Sequence, residues 1–267
     1  YKRQIDYISI PHNHELTQWL HPGKKELITF CIDNRYQYDT HKWDHAHSEF
    51  TQINWNGVLG EIKLVAVDPV YVDDMQVYPD IKNKSIKVKM TVRNCTEHTA
   101  SGKISFHVTG KDYRLQKEVP VTVTDSITYI EEEMFLGKDI HLWNEFHPNL
   151  YTLDCKLTSS VEGQSYAHEK STTFGMREVE AGEDHIILNG EPIHLRGTVE
   201  NAVFPKTGYA PVDDASWERV LRILKEYGMN HMRFHSWCPP AAAFRMADKL
   251  GCLLYTSPSP RDRSLSR

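Results

Sequence analysis

The sequence lacks long hydrophobic runs and an excess of positive charge. None of its 267 residues belongs to a stretch that approaches the roughly 20 consecutive apolar residues of a membrane span. The 31 Lys and Arg residues are outnumbered by 36 Asp and Glu, which gives a formal net charge of −5. Such a chain offers no basic surface to phosphate backbones or anionic lipids. We therefore expect neither a nucleic acid nor a membrane as its partner.

Cysteine is sparse and does not follow a ligand or disulfide pattern. The five cysteines form no CxxC pair, and their odd number does not favour a disulfide framework. We interpret them as buried or incidental thiols. They are Cys31, Cys95, Cys155, Cys238 and Cys252.

Histidine is frequent near the start, but without the partners of a metal site. The HNH and HAH triplets place pairs of histidines on one face of a strand. No acidic or cysteine side chain accompanies them at zinc-like spacing, so we predict no metal. The residues concerned are His12, His14, His41, His45 and His47.

Both ends of the chain lack features of natural termini. The chain begins at Tyr1 without an initiator Met or a signal pattern, and its first ten residues already resemble a strand. The compartment is therefore left open, periplasmic and extracellular locations included. Residues 252–267, CLLYTSPSPRDRSLSR, lack periodicity, and their back-translation resembles a transposase sequencing adapter. We expect a gene cut at both ends and a non-native tail, which is left out of the fold prediction.

Short strands dominate the first two thirds of the chain. Residues 1–68 contain the strand-like runs ITFCIDN (28–34) and VLGEIKLVAV (58–67), too few to close a core, and are interpreted as the end of a larger β-sandwich. Residues 69–174 alternate apolar and polar side chains in SIKVKMTVRN, GKISFHVTG and VPVTVTD. This pattern predicts an immunoglobulin-like two-sheet sandwich, although the Cys…Trp…Cys pattern of antibody domains is absent.

From residue 175 to 251 the pattern changes to alternating strands and helices. Asn189 and Gly190 are typical of a two-residue hairpin turn. A helix capped by Asp213 or Asp214 follows, then the strand in MNHMRFHSW, and then a helix closed by Gly251. Strand, helix, strand and helix in succession indicate the start of a parallel α/β domain.

Six motifs occur in the order of one enzyme family. They are PGKKELITFCIDN, NWNGVLGEIKL, LWNEFHPNLYTL, FGMREVE, ILNGEPIHLRG and MNHMRFHSWCPP. From about residue 6 to residue 251 the chain resembles glycoside hydrolase family 2, which contains exo-acting β-galactosidases, β-glucuronidases and β-mannosidases. The resemblance implies a mostly β fold: a jelly-roll sugar-binding sandwich (1–68), an immunoglobulin-like sandwich (69–174) and the first units of a (β/α)8 catalytic barrel (175–251).

The resemblance also implies a chemistry whose key residues are not in this chain. Retaining glycosidases use two carboxylates about 5 to 5.5 Å apart. In the family both are glutamates on later barrel strands, beyond Gly251. We therefore assign no catalytic residue, expect the chain alone to be inactive, and expect no organic cofactor. The substrate would be a carbohydrate, a β-galactoside by default, with glucuronide, mannoside or a rarer pectic sugar open, as is oligomerisation of the parent protein.

The candidate site residues follow the first two barrel strands, which we assign to HLRG and HMRF. The active-site mouth would then come just after Leu195 and Met232. Arg233 matches the family arginine that keeps the nucleophile ionised, and its alternative role is an ordinary strand-end salt bridge. His235 and Trp237 would contact the sugar or belong to a packed loop.

Two further loops carry candidate residues. Glu200 and Asn201 lie where the family shapes the rim of its site, and Glu200 would bind a sugar hydroxyl or be a solvated loop acid. In the first domain Asn54 and Trp55 belong to a polar and aromatic loop, QINWN, of the composition that binds sugars. Packing is the favoured role of Trp55.

A different class of protein fits part of the sequence. A non-catalytic, carbohydrate-binding β-sandwich protein would explain the strands of residues 1–174. It has no use for the strand-helix-strand-helix segment of residues 193–251, which therefore favours the enzyme.

Overall fold

The computed structural model describes residues 11–33, 50, 55, 57–58 and 60–256. In this part of the chain a short 3₁₀ helix, Thr17–Trp19, precedes thirteen strands and two α-helices. No helix there is long and apolar enough to span a membrane. The strands are β1 (Val70–Asp80), β2 (Ser85–Asn94), β3 (Ala100–Gly110), β4 (Tyr113–Val123), β5 (Ile127–Phe135), β6 (Tyr151–Val161), β7 (Gln164–Phe174), β8 (Val179–Ala181), β9 (Ile186–Leu188), β10 (Glu191–Ile193), β11 (Gly197–Glu200), β12 (His231–Phe234) and β13 (Leu253–Thr256). The helices are α1 (Asp214–Glu226) and α2 (Ala241–Leu250).

Strands β1 to β7 form a two-sheet antiparallel sandwich. One sheet has the order β1-β2-β5 and the other the order β4-β3-β6-β7. Alternation decides which side chains enter the space between the sheets, as β2 illustrates: Ile86, Val88 and Val92 are fully buried, whereas Lys87 and Lys89 face solvent. The alternating pattern of the sequence thus correctly predicts a sandwich in this region.

Lysine side chains close the two open seams of the sandwich. Lys170 on β7 donates to the backbone oxygen of Asp73 on β1. At the other seam Lys117 on β4 donates to the backbone oxygen of Glu133 on β5, at 2.9 Å. Edge strands present unpaired backbone groups, and these charged side chains satisfy some of them while keeping other chains away.

A small α/β unit follows the sandwich. Strands β11, β12 and β13 are parallel neighbours in that order, and α1 and α2 connect them. The helices bury one apolar face each against the sheet, with Trp217 and Leu221 of α1 meeting Met232 and Phe234 of β12 in one core. Preceding this unit, β8, β9 and β10 form a separate antiparallel sheet.

The local signals of the sequence are confirmed in this unit and in the small sheet before it. The β9–β10 turn has positive φ at Asn189 (55°) and Gly190 (86°), which a two-residue hairpin of this type requires. Helix α1 is capped by Asp213, whose carboxylate accepts from the backbone N–H of Ser216 at 2.8 Å. Helix α2 ends at Gly251 in the left-handed conformation, with φ 71°.

The assignment of the first parallel strand to HLRG is wrong. Strand β11 begins at Gly197, the last residue of that motif, and ends at Glu200. The fully buried side chain of Asn230 accepts from the Arg196 N–H (2.8 Å) and donates to the His194 carbonyl (3.0 Å), so these two backbone groups bond to a side chain instead of a neighbouring strand. The loop at the carboxyl end of β11 therefore follows Glu200, not Leu195.

The two strand-like runs of the first segment form no strands in their described residues. A strand needs a hydrogen-bonding neighbour, and within the described ranges before residue 70 the only regular element is the 3₁₀ helix. Apolar side chains of both runs are accordingly exposed, including Phe30 (59%) and Leu64 (71%). Residues 253–256, part of the predicted non-native tail, pair along the free edge of β12 as β13. Residues 257–267 lie outside the described part.

The stability of the sandwich should decrease in mild acid because of His168. Its Nδ1 accepts the backbone N–H of Val72 across the β1–β7 seam, at 3.3 Å, and so must be unprotonated. Burial, aided by the charge of Lys170, lowers the pKa of His168 below its usual 6.5. As the pH falls through the usual pKa of histidine, His168 takes up a proton in the unfolded chain before it does so in the folded chain. The free energy of unfolding therefore decreases.

Denaturant unfolding at about pH 7.5 and about pH 5.5 tests this, with His168→Gln compared with the parent. The variant should lose part of the pH dependence. His107→Gln on the exposed face of β3 is the matched control and should keep it. An equal pH dependence in all three proteins would contradict the role of His168.

Candidate functional site

The carboxyl ends of the three parallel strands bring most of the predicted residues together. Val199, Arg233 and Tyr255 are register neighbours on β11, β12 and β13, so their side chains share one face of the sheet. All three are exposed. The opposite face carries Phe234, which is fully buried against the helices. The sheet thus has a covered face and an open one, and Arg233 lies on the open face.

Arg233 supplies the positive charge of this open face. Its guanidinium carbon lies 5.7 Å from the ring centroid of Tyr255, within cation–π range. Two residues earlier on the same strand, burial and then the Arg233 charge lower the pKa of His231. A cation in this position would favour the ionised form of a carboxylate placed beside it.

Glu200 is engaged in hydrogen bonds with its own loop. Its carboxylate accepts from the backbone N–H groups of Ala202 (2.9 Å) and Val203 (3.2 Å), which closes the turn after β11. Its backbone oxygen accepts from the His235 N–H (2.9 Å) and the Trp237 indole N–H (3.2 Å). Glu200 therefore fixes the turn that contains the half-buried Asn201 and joins it to the loop after β12.

The loop after β12 turns Trp237 back into the core. Ser236 has a positive φ of 62°, so strand alternation stops at Phe234. Half-buried His235 has its Nδ1 3.1 Å from the Ser236 hydroxyl. Trp237 is only 4% exposed. Its ring therefore cannot present a face to a ligand, and it supports the loop after β12 by packing beneath it.

An aromatic cluster packs beneath the loops that follow β11 and β12. We call it the ring cluster, and its members make edge-to-face or tilted contacts at centroid distances from 5.2 to 6.3 Å. It consists of Trp55, Phe204, Trp217, Phe234 and Trp237. The half-buried Trp55 comes from the first segment and meets Trp237 at 5.6 Å. Asn54, the candidate beside it, lies outside the described residues.

Sequence reasoning missed Phe204 as a member of this site. Phe204 contacts Trp55, Trp217 and Trp237, which lie in three different segments. Its only signal in the sequence is an aromatic residue shortly after a strand, in RGTVENAVFP.

As for metals, no three His, Cys, Asp or Glu side chains of the described residues are grouped to hold an ion. His41, His45 and His47 lie outside those residues.

The fold is shared with solved glycoside hydrolases. A GH2 β-galacturonidase from Eisenbergiella tayi, bound to galacturonate, has a TM-score of 0.58 at 18% identity, over 72% of this chain and 33% of its own. β-Glucuronidase 2 of Bacteroides uniformis has a TM-score of 0.57 at 20% identity, over 71% of this chain and 24% of its own. These likenesses define the class of fold.

Sequence comparison finds similar proteins in one family. Residues 70–177 match the family model of glycosyl hydrolases family 2. A β-galactosidase of Thermoanaerobacter pseudethanolicus is 23% identical over 248 residues, which are 92% of this chain and 32% of that protein. A putative β-glucuronidase of Formosa agariphila is 26% identical over 95% of this chain and 23% of its own length. Over residues 70–177 the chain is thus similar to glycosyl hydrolases family 2, and it spans about a third or less of the length of these relatives.

Substituting Glu200 should destabilise the α/β unit. Glu200→Ala removes the acceptor for two backbone N–H groups, at an expected cost of about 1–3 kcal/mol in the free energy of unfolding. Glu183→Ala, in an exposed loop, is the control and should change little. Denaturant unfolding measures both. A cost near zero for Glu200→Ala would instead indicate a solvated loop acid.

Substituting Trp55 should separate the first segment from the α/β unit. Trp55→Ala removes half-buried ring contacts with Phe204 and Trp237, worth roughly 1–2 kcal/mol. Trp19→Ala, at a residue that is 45% exposed, is the control. Limited proteolysis between residues 50 and 68 should become faster only in Trp55→Ala. Equal cleavage rates would contradict the docking of this segment.

Proposed function

We propose that this chain is part of an exo-acting, retaining glycoside hydrolase that removes terminal sugars from oligo- or polysaccharides. The observation that carries the proposal is the parallel unit β11-α1-β12-α2-β13, which follows the sandwich and the small β8–β10 sheet, with Glu200 and Arg233 at its strand ends. In (β/α)8 barrels the active site is built at the carboxyl ends of such strands. A protein that only binds carbohydrate through a sandwich would not need this unit.

Arg233 is proposed to keep the catalytic nucleophile ionised. Retaining hydrolysis needs one carboxylate as nucleophile and a second as acid and base, about 5 to 5.5 Å apart. An adjacent guanidinium lowers the pKa of a carboxylate by charge attraction. The exposed position of Arg233 on the open sheet face supports this role. We assign neither carboxylate to this chain, and the hydrogen bonds of Glu200 make it unsuitable as a catalytic acid.

The other candidates would shape the site. His235 and Asn201 are half-buried at the strand ends, where a sugar hydroxyl could reach their polar atoms. Trp237 would act through the surface that it supports, because its ring is buried. Asn54 remains a predicted sugar contact. The mechanism needs no organic cofactor.

A β-galactoside is the proposed substrate, and a β-glucuronide is the second candidate. Three of the most similar relatives carry the name β-galactosidase. The second choice is supported by a relative named as a putative β-glucuronidase. It is also supported by structural neighbours that are named β-glucuronidase or β-galacturonidase.

The test compares this chain with a longer protein that contains it, on nitrophenyl β-galactoside and β-glucuronide. We expect no turnover by the chain and turnover by the longer protein, with the β-anomer of the sugar formed first in an NMR time course. In the longer protein Arg233→Met should lower kcat about 10- to 100-fold, equivalent to roughly 1.4–2.7 kcal/mol of transition-state stabilisation.

The matched control is Arg245→Met, which removes a surface arginine paired with Asp214 and should leave kcat unchanged. Formation of the opposite anomer would contradict the retaining mechanism. Failure of the longer protein on both substrates would contradict the proposed substrates, and an unchanged kcat in Arg233→Met would contradict the role of Arg233.

A further inference from the structure

The loop between β5 and β6 reaches from the sandwich to the α/β unit. Residues 142–149, here called the junction loop, contain Trp143, which is fully buried. Its indole N–H donates to the Asp248 backbone oxygen in α2, at 2.7 Å. Its own backbone bonds to Met176 (2.9 Å) and to the side chain of Asn189 (2.9 Å). Trp143 thus joins three segments that are far apart in the sequence.

A charged pair covers the Trp143 ring. The guanidinium carbon of Arg177 lies 4.5 Å from the ring centroid, and its Nη1 is 3.3 Å from the Asp248 carboxylate. Burial raises the pKa of Asp248, and Arg177 counteracts the shift. Arg177 also brings positive charge to the last turns of α2, where the helix dipole favours a cation.

Glu145 makes the second contact of the junction loop. Its buried carboxylate lies 3.2 Å from the Nη2 of Arg196. Its backbone oxygen accepts from the Lys225 ammonium group at 2.6 Å, and that group also lies 3.3 Å from the Gly251 oxygen. The loop approaches so closely that a Cβ at Gly251 would be 2.5 Å from the Glu145 oxygen. Only glycine fits there, for reasons of contact as well as of φ.

These contacts lie at the end of the α/β unit opposite to the candidate site. Lys225 is in the last turn of α1, and Asp248 and Gly251 lie at the end of α2. In a β-α-β unit of parallel strands, the helix C-termini lie at the amino ends of the strands, away from the site-forming ends. The junction loop therefore cannot serve the site by direct contact.

We propose that the junction loop is a latch that locks the sandwich to the α/β unit, so that the two unfold as one cooperative body. Its docking surface is the C-terminal ends of α1 and α2 of the same chain. Trp143 anchors the latch by burial, and Glu145 holds it through Arg196 and Lys225. The Glu145 carboxylate is nearly buried whereas the Arg196 side chain is 43% exposed, so the pair is partly desolvated and loss of the Glu145 charge weakens the latch.

Calorimetric unfolding of the whole chain tests the latch. The parent should show one main transition. Trp143→Phe and Glu145→Gln should each give two, separated by roughly 5 °C or more. Hydrogen exchange should accompany the split, with amides of α1 exchanging at least roughly 10-fold faster in the variants and amides of β3 at the parent rate.

Core substitutions within one unit are the matched controls. Trp217→Phe in the α/β core and Phe106→Leu in the sandwich core also remove buried contacts, and each should lower one unsplit transition. Two transitions in the parent would overturn the proposal. A single lowered transition in Glu145→Gln would do so as well, because Trp143 and Glu145 would then be ordinary core residues. Glu145→Gln preserves side-chain size, so the test remains decisive if Trp143→Phe does not fold.

Discussion

The position of the candidate site depends on one buried amide, that of Asn230. Its side chain holds residues 194–196 in front of β11, and its backbone oxygen accepts from the Leu253 N–H at the start of β13, at 2.8 Å. Immediately beyond it, Gly197 lies so close to His231 that a Cβ would be 2.5 Å from the His231 oxygen. Together they fix the register of all three parallel strands. Because side chains alternate along a strand, a slip of one residue would turn Arg233 into the helix-covered core.

How much of this arrangement the sequence predicts depends on how local each signal is. The hairpin at Asn189 and Gly190 and the helix ends at Asp213 and Gly251 are set by residues within one turn, and they were predicted correctly. The start of β11 was not, because it is decided by Asn230, more than thirty residues further along the chain. Local pattern contains no information on such a contact.

The candidate site residues also differ in how far local sequence predicts their place. Motif matching proposes Arg233 as a candidate, and strand alternation predicts that its side chain and that of Phe234 lie on opposite faces of β12. Glu200 bonds to backbone groups within three residues of itself, so the contact is local. Nothing in RGTVENAVFP, however, distinguishes Glu200 from a solvated acid. The ring cluster is even harder to predict from the sequence, because Trp55 and Trp237 meet across more than 180 residues. Only the folded chain shows that an aromatic residue of the first segment supports the loop after β12.

The α/β unit is therefore held at both ends by parts of the chain outside it. Trp55 packs beneath the mouth at the carboxyl ends of the strands, and the junction loop packs on the helix C-termini at the other end. Three short parallel strands and two helices bury little surface by themselves, so much of their order must come from these external contacts. One of these contacts lies at the candidate site and the other lies at the opposite end of the unit. Segments outside the α/β unit thus contact it on both sides of its sheet ends, and the candidate site is built on a unit that the rest of the chain helps to position.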